Sequence, residues 1–355
     1  MLKIVFIILI IAVNFAHAQN AEFYNSLDSS SYSDNLPIFS LIKGMKSPYE
    51  PGEIAFTRNK FAFGFKGEDY SLSAIYRNDY HFNFNRDALE IIYNSQNGIK
   101  EDAGKNYSPK LRVNHLSAMG FEFVRKFKLA EGWNLEISSA ILNGKSYQYG
   151  DLEGNLSIDS SGNYNGDLRL NYYYDEDRLL KRNVSSPSGL GYTIGFVSVF
   201  KPSNNITVRF RADDLISYIR WEDSPYTIAA ATSATRSVAS DGSFKVKPTL
   251  AGVELNDNKI QRLPLFIVSD ISYSLDSNKD IFLKISTING VYLPEIGARK
   301  ILSNSSYYGV RYDFITSGLG CFINFKNFSF NVLSDSIDYS RAHRLELSVS
   351  YAVPL

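Results

Sequence analysis

The segment from Tyr70 to Asn85 alternates between apolar and polar residues, and this alternation strongly limits what the chain can fold into. One parity is mostly apolar and aromatic: Tyr70, Leu72, Ala74, Tyr76, Tyr80, Phe82 and Phe84. The other parity is mostly polar and includes Arg77, Asp79 and His81. Successive side chains of a β-strand point to opposite faces, so the segment predicts a strand with one apolar and one wet face. At about 3.3 Å per residue it would extend roughly 50 Å, long enough to cross a bilayer and protrude.

Similar alternation continues from about residue 54 to Leu355, interrupted by polar connectors. The predicted short turns are 66–69, 202–205, 276–279 and 326–327. The predicted long excursions are 94–109, 143–167, 175–188, 222–243 and 303–306. Short turns join neighbouring strands antiparallel in sequence order. The pattern predicts an all-β fold, a closed antiparallel up-and-down transmembrane β-barrel of about 14 strands, with 12 to 16 as the range.

The N-terminal residues predict export. Lys3 precedes an unbroken apolar run, Ile4 to Val13, and Ala16-His17-Ala18 places small residues where a signal peptidase cleaves. We therefore interpret residues 1–18 as a signal peptide. Ten apolar residues are too few for a membrane-spanning helix, which needs about 20.

Residues 19–52 are polar and contain three prolines, which is a poor strand composition. They are expected to form an N-terminal arm or plug at the periplasmic mouth or in the lumen. A short apolar patch, Ile38, Phe39, Leu41 and Ile42, would dock it there. A loose terminus is the alternative. The barrel itself is expected to occupy residues 53–355.

Composition excludes several classes of function. The chain has 37 Lys plus Arg and 37 Asp plus Glu, so no net charge favours nucleic acid. Cys321 is the only cysteine, which excludes an intrachain disulfide. We find no nucleophile motif, metal-ligand spacing or cofactor motif, so neither an enzyme nor a metal or cofactor site is expected. Two acidic clusters, Asp175-Glu176-Asp177 and Asp213-Asp214, lack calcium-loop spacing and are interpreted as solvated loop charge.

Charged residues on the polar parity are the candidate site. Eight are expected to face the lumen: Arg77, Asp79, Arg112, Glu122, Arg209, Arg211, Arg311 and Asp313. Such charges either line a water-filled pore or pair across a packed interior. About 8 strands leave an interior filled by side chains and 16 to 18 leave a channel, so we favour a narrow or partly plugged passage over a sealed barrel.

The stretch from Asp213 to Thr227 breaks the strict alternation. Its aromatic residues Tyr218, Trp221 and Tyr226 suggest a hydrophobic ligand contact. The alternative, which we favour, is the aromatic girdle that membrane barrels carry at the bilayer interface.

The final strand alternates up to Leu355, with Leu345, Leu347, Val349, Tyr351 and Val353 on one parity. Together with the signal peptide and the many amphipathic strands, it resembles the Gram-negative outer-membrane β-barrel proteins. The resemblance implies residence in the cell outer membrane, contact with its lipid, and recognition of the terminal strand by the barrel assembly machinery.

These features lead to an expected function as a narrow channel or passive transporter for small solutes or hydrophobic compounds, and no residue pattern identifies the solute. One alternative is a non-conducting barrel that acts as a structural or assembly partner or as a surface-binding protein. The remaining alternative is a soluble secreted β-sandwich, which would have shorter strands.

Overall fold

The computed structural model describes residues 21–45, 49–50, 52–161, 164–177, 183–238, 244–303 and 305–355. The strands are β1 (Glu22–Ser33), β2 (Ile54–Lys66), β3 (Tyr70–Phe84), β4 (Asn106–Tyr107), β5 (Lys110–Ala130), β6 (Trp133–Ile158), β7 (Tyr164–Tyr174), β8 (Ser188–Ser203), β9 (Ile206–Val238), β10 (Phe244–Gln261), β11 (Phe266–Asp276), β12 (Lys279–Ile288), β13 (Val291–Ser303), β14 (Ser306–Asp313), β15 (Leu319–Phe325), β16 (Phe328–Ser334) and β17 (Arg344–Pro354). The helices are α1 (Ile38–Lys43), α2 (Arg86–Asn97) and a 3-10 turn, Tyr339–Arg341. The expected signal peptide, residues 1–18, lies outside the described residues.

The chain forms a closed antiparallel barrel of 14 strands, as the alternation predicts. The order around the ring is β1, β2, β3, β5, β6, β8, β9 and then β11 to β17. Pairing of β1 with both β2 and β17 closes the ring. The other three strands, β4, β7 and β10, pair with the extended ends of β6 and β9. Closure leaves the ring without an open sheet edge, which a lipid-embedded backbone requires.

The two ends of the barrel differ. Tight connections such as 67–69 and 131–132 lie at one end, together with both ends of the described chain, where the amide of Leu355 donates to the carbonyl of Ala21 over 2.9 Å. We call this the turn end. The long connections lie at the opposite end, the loop end. This asymmetry is typical of periplasmic turns and extracellular loops.

Three of the predicted long excursions are wrong in whole or part. Residues 143–158 continue β6, and residues 222–238 continue β9 and pair with β10. The third, 303–306, is a tight connection at the turn end, because Ser303 pairs with Ser306. Beyond the bilayer both faces of a hairpin meet water or other loops, so a strand there loses the apolar parity that reveals strands in lipid.

The predicted arm is also wrong for residues 22–33, which form β1 and pair along their full length with β2 and β17. The prediction failed because serines occupy both parities in the second half of this strand, so its alternation is weak. The described residues of the connection that follows, 34–45, 49–50 and 52–53, lie at the loop end and not at the expected periplasmic mouth. The apolar patch on it forms α1, and the ring of Phe39 contacts that of Tyr339 edge to face at 5.4 Å.

Helix α2 follows β3 directly and was not predicted. The side chain of Asn85 caps it by accepting from the amide of Ala88 at 3.0 Å, and Gly98 ends it with a φ of 65°. Ala88 and Leu89 on this helix cover Ala55 and Phe84, which share the outward parity of their strands. The loop-end helices therefore shield apolar residues on the outside of the wall rather than plugging the lumen.

One ion pair holds α2 to the loop that follows it. The Nζ of Lys105 and the hydroxyl of Tyr107 both bond to the carboxylate of Glu90, the latter at 3.1 Å. Burial tends to raise the pKa of Glu90, but these two hydrogen bonds outweigh it and lower the pKa below its ordinary value of 4.5. Burial, with the nearby Glu90 charge, raises the pKa of Tyr107 to about 12.

We expect α2 to loosen in acid. A carboxylate with a lowered pKa in the folded state stabilises that state above its unfolded pKa, and the contribution is lost as the pH falls through the folded value. Amide exchange protection factors of α2, corrected for intrinsic rates, should therefore fall between pH 6 and pH 3. Glu90→Gln should show low protection at both pH values, whereas Glu68→Gln, in a turn at the other end, should behave as wild type. Equal protection of α2 in wild type at both pH values would contradict this assignment.

The outer face of the barrel is apolar. Large side chains are exposed around the ring, among them Phe61, Phe63, Met119, Phe121, Phe123, Ile141, Tyr192, Ile271, Leu283, Val310 and Ile323. The buried set inside contains arginine, aspartate and glutamate. In the described part of the chain, no helix has the length and apolar character needed to span a bilayer. An apolar outside around a charged inside is the arrangement of a transmembrane β-barrel.

Candidate functional site

The lumen contains two groups of ion-paired side chains, each with three cations and three carboxylates. The Asp214 cluster consists of Arg58, Arg77, Asp79, Arg211, Asp213 and Asp214. The Glu346 cluster consists of Lys284, Glu295, Arg311, Asp313, Arg344 and Glu346. Taking charges out of water is expensive unless they are paired and hydrogen-bonded, and each cluster is formally neutral.

A β-bulge on β9 places two adjacent carboxylates in the lumen. The register with β8 shifts between Ala212 and Ile216, and Asp214 has a φ of 59°. Asp213 and Asp214 therefore both point inward, although strict alternation would separate them. This bulge also explains why the stretch from Asp213 onward loses its alternation. The interpretation of this acidic pair as solvated loop charge is wrong, because the Asp214 side chain is only 2% exposed.

The carboxylate of Asp214 connects β9 with strands on another side of the barrel. One of its carboxylate oxygens lies 2.7 Å from Nη1 of Arg77, and the other lies 3.1 Å from Nη2 of Arg58. The hydroxyl of Thr193 donates to it over 2.7 Å. The two arginines come from β3 and β2, several strands away from β9 in the ring. These bonds therefore cross the lumen and narrow it.

The Glu346 cluster crosses the lumen in the same way. Nη1 of Arg311 lies 2.7 Å from both Glu295 and Glu346. Lys284 on β12 reaches Glu295 at 3.0 Å and Glu346, on β17, at 3.6 Å. Arg344 bonds to Glu346 and lies 3.6 Å from Asp313. All of these side chains are mostly buried, so the ion pairs are poorly screened by salt.

A cavity of about 350 Å³ lies where the two clusters approach one another. Its wall includes Lys284 and Glu346 from one cluster and residues of the Asp214 cluster from the other. A third pair, Lys60 with Glu122 at 2.6 Å, also lines it. The wall is strongly polar, with six cationic and seven anionic side chains.

Apolar side chains fill the lumen towards the loop end. One layer joins residues from the loop-side ends of five strands: Tyr32, Ile54, Phe56, Phe266, Ile288 and Leu293. A second group surrounds Trp221, whose ring stacks on Tyr147 at 4.0 Å and whose Nε1 donates to Gln261 at 2.9 Å. The ring lies directly against two glycines: a Cβ added at Gly144 or Gly189 would approach within 2.3 or 2.6 Å of it.

Most of the charged residues singled out in the sequence lie in the lumen. Arg77, Asp79 and Arg211 belong to the Asp214 cluster, and Arg311 and Asp313 to the Glu346 cluster. Glu122 pairs with Lys60, and Arg209 lines the cavity. Arg112 differs: it is exposed near Glu53 and Asp151, apart from both clusters.

The three aromatic residues singled out with them are not brought together. Trp221 is fully buried inside, so neither a membrane girdle nor an exposed contact describes it. Tyr218 faces outward and stacks on Tyr192 at 6.0 Å, a lipid-side position. Tyr226 is half-buried and stacks on Tyr173 at 5.1 Å in the extension above the ring.

Sequence reasoning missed several members of the clusters, namely Arg58, Asp213, Asp214, Lys284 and Glu295. Arg58 and Lys60 share the inward parity of β2, which was a usable signal. The bulge that turns Asp214 inward is visible in the sequence only as the loss of alternation from Asp213 onward, which does not reveal that both carboxylates face the lumen. The described residues contain no group of three or more side chains suited to hold a metal ion.

No family model matches the chain, and no curated protein matches it. Among solved structures it is similar to the CymD monoaromatic hydrocarbon channel, with 9% identity, a TM-score of 0.43 and coverage of 97% of this chain and 91% of that chain. It is also similar to the Pseudomonas putida toluene transporter TodX, with 9% identity, a TM-score of 0.38 and coverage of 96% and 90%. For a Pseudomonas aeruginosa FadL homologue the values are 10%, 0.33, 95% and 91%. The predicted fold class is confirmed by the structure itself, which is a closed antiparallel barrel of 14 strands.

Proposed function

We propose that this protein is an outer-membrane channel for passive passage of small solutes, held nearly closed in the described state. The observation that carries the proposal is the cavity of about 350 Å³ inside a closed transmembrane barrel, lined by charges of both signs. A barrel needed only as a scaffold could fill this space with apolar side chains at no loss of stability, because buried ion pairs seldom stabilise more than such residues do.

Export and membrane assembly belong to the same proposal. Residues 1–18 direct export and are removed, and the terminal strand β17 is recognised by the barrel assembly machinery. The apolar outer face then contacts outer-membrane lipid. The proposal includes no catalytic step. The three histidines His81, His115 and His343 lie on or beside three separate strands; His115 contacts the side chain of Asn78, and His343 contacts the carbonyl of Ser33.

Passage of hydrophobic compounds is a second candidate function. It is favoured by a cluster of aromatic side chains in the lumen near the loop end. Trp221 and Tyr147 are buried there, and Tyr149 and Tyr173 pack against their cluster. The ammonium of Lys259 lies over the last two rings, at 4.7 and 4.3 Å. Stacked rings could accept a flat apolar molecule before it meets the polar cavity.

Planar bilayer recordings test the channel. The purified wild-type protein should give small, discrete conductance steps. Asp213→Asn combined with Asp214→Asn should raise the open fraction, because the cross-lumen ties to Arg58 and Arg77 are weakened. Glu68→Gln, in a turn outside the lumen, is the control and should match wild type. Silent bilayers with both the wild type and the double variant would support a non-conducting barrel and overturn the proposal.

A further inference from the structure

We propose that the lumen cavity binds a small zwitterionic solute, one that carries a carboxylate and an ammonium group a few bonds apart. This inference rests on the proposed function for its biological meaning. The binding site itself depends only on the residues of the cavity wall.

Most charges on this wall already have partners, and a few do not. Lys60 is directed to Glu122, although its register partner on β1 is Asp28. Among the described residues, neither Asp28 nor Arg209 has an oppositely charged group within the 4.0 Å that defines an ion pair. Asp270 is the register partner of Arg209 on β11, yet their charged groups also remain farther apart than this. These three side chains line the cavity and are available to a solute.

The cationic groups that would bind the carboxylate of the solute lie on one strand. Arg209 and Arg211 are two residues apart on β9, so they project from the same face about 6 to 7 Å apart. Arg211 bonds to Asp213 through Nε at 2.8 Å, and its side chain is 39% exposed. The pair with Asp213 uses Nε, and Arg211 lines the cavity. Two guanidinium groups side by side suit a carboxylate, which accepts paired hydrogen bonds from each fork.

Of the two available carboxylates, Asp270 lies on the strand next to Arg209, and Asp28 lies across the lumen. Asp28 is on β1, which is nearly opposite β9 in the ring of 14 strands. An ammonium group donates three hydrogen bonds, and a carboxylate is its natural acceptor. The six cations and seven carboxylates of the wall nearly cancel, and the groups left without an ion-pair partner include both signs, so a solute that carries both charges satisfies more of them than a simple anion or cation does. A cavity of about 350 Å³ lies near the lower end of the range for ligand pockets, about 300 to 1,000 Å³, so it admits a small solute but not a large one.

Four probes of similar size separate the required groups: L-serine has both charges, lactate only the carboxylate, ethanolamine only the ammonium, and glycerol neither. Calorimetric titration of the detergent-solubilised, heat-modifiable barrel measures binding without any need for conduction. L-serine should bind at least about tenfold more tightly than the other three, since each charge-assisted bond contributes roughly 1.5–3 kcal/mol. Arg209→Gln and Asp28→Asn should each remove that advantage. Arg112→Gln removes an exposed arginine outside the cavity and should not.

The inference would be overturned if the wild-type protein bound L-serine no better than glycerol. It would also be overturned if Arg209→Gln and Asp28→Asn bound L-serine as tightly as the wild type does. If Arg209→Gln fails to fold, Arg209→Lys replaces it in the test. Lysine keeps the positive charge but lacks the paired N–H donors of a guanidinium group, so this variant should bind L-serine more weakly than the wild type. Liposome swelling with the same probes separates this inference from the channel. Binding of L-serine without liposome swelling would support the binding site and contradict the channel. Equal swelling with all four probes and no binding would support the channel and contradict the binding site.

Discussion

Replacing Asp214 by alanine is expected to lower the free energy of unfolding by about 3–5 kcal/mol. The change leaves Arg58 and Arg77 buried with one carboxylate fewer between them, and it removes the acceptor of the Thr193 hydroxyl. Most of the loss comes from buried positive charge without a partner rather than from the attraction itself. Urea unfolding of the folded barrel in lipid vesicles, followed by heat-modifiable gel mobility, measures the difference.

Two further variants make this result specific. Asp276→Ala removes an aspartate whose side chain is 50% exposed, and it should change stability by less than about 1 kcal/mol. Combining Arg77→Met with Asp79→Leu removes one buried charge of each sign and leaves the rest of the Asp214 cluster neutral, so it should cost less stability than Asp214→Ala, because apolar residues can replace a buried ion pair. An Asp214→Ala barrel as stable as Asp276→Ala would mean that water screens the Asp214 cluster far better than its burial indicates.

Replacing Trp221 by alanine is expected to cost about 3–5 kcal/mol of stability, the usual range for a buried aromatic residue. The indole is fully buried against Tyr147, and the glycines at 144 and 189 leave a space that only its ring fills. Its removal also leaves the Gln261 side chain without the indole donor. The same unfolding assay measures this loss.

The second tryptophan is a matched control. Trp133 is 42% exposed on the outer face, so Trp133→Ala loses lipid contacts and one hydrogen bond to Ser198 but opens no cavity. It should destabilise far less. The single-tryptophan variants also report environment: emission from Trp221 should be insensitive to brominated lipid, whereas Trp133 should be quenched. Strong quenching of Trp221 would place it at the bilayer and refute its position in the lumen.

The sequence predicted the wall better than it predicted the ends. In β3 and β17 a bilayer on one side and water on the other enforce a two-residue period, and that period is visible in the residues. In β1 serines occupy both parities, so the sequence shows little contrast between an apolar and a polar face. This strand is identified only by its pairing with β2 and β17 in the structure. Above the bilayer the constraint disappears, so the extensions of β6 and β9 were interpreted as loops.

The candidate site shows the same division. Alternation assigned Arg77, Arg211 and Arg311 to the inner face, because parity is a local property. It could not assign their partners. Arg77 and Asp214 are 137 residues apart, and their contact depends on the curvature of the ring and on a bulge that reverses one residue.

The sequence by itself therefore determined that the chain forms a membrane barrel and which residues of its regular strands face lipid, since each of those follows from the period of single strands. Only the tertiary structure decided that the lumen is narrowed by two neutral clusters, that Trp221 is inside rather than at the bilayer, and that Asp28 and Arg209 face a common cavity. The physical reason is that closure brings distant strands together. Charges that look alike along the chain then differ according to whether an opposite charge lies within reach across the lumen.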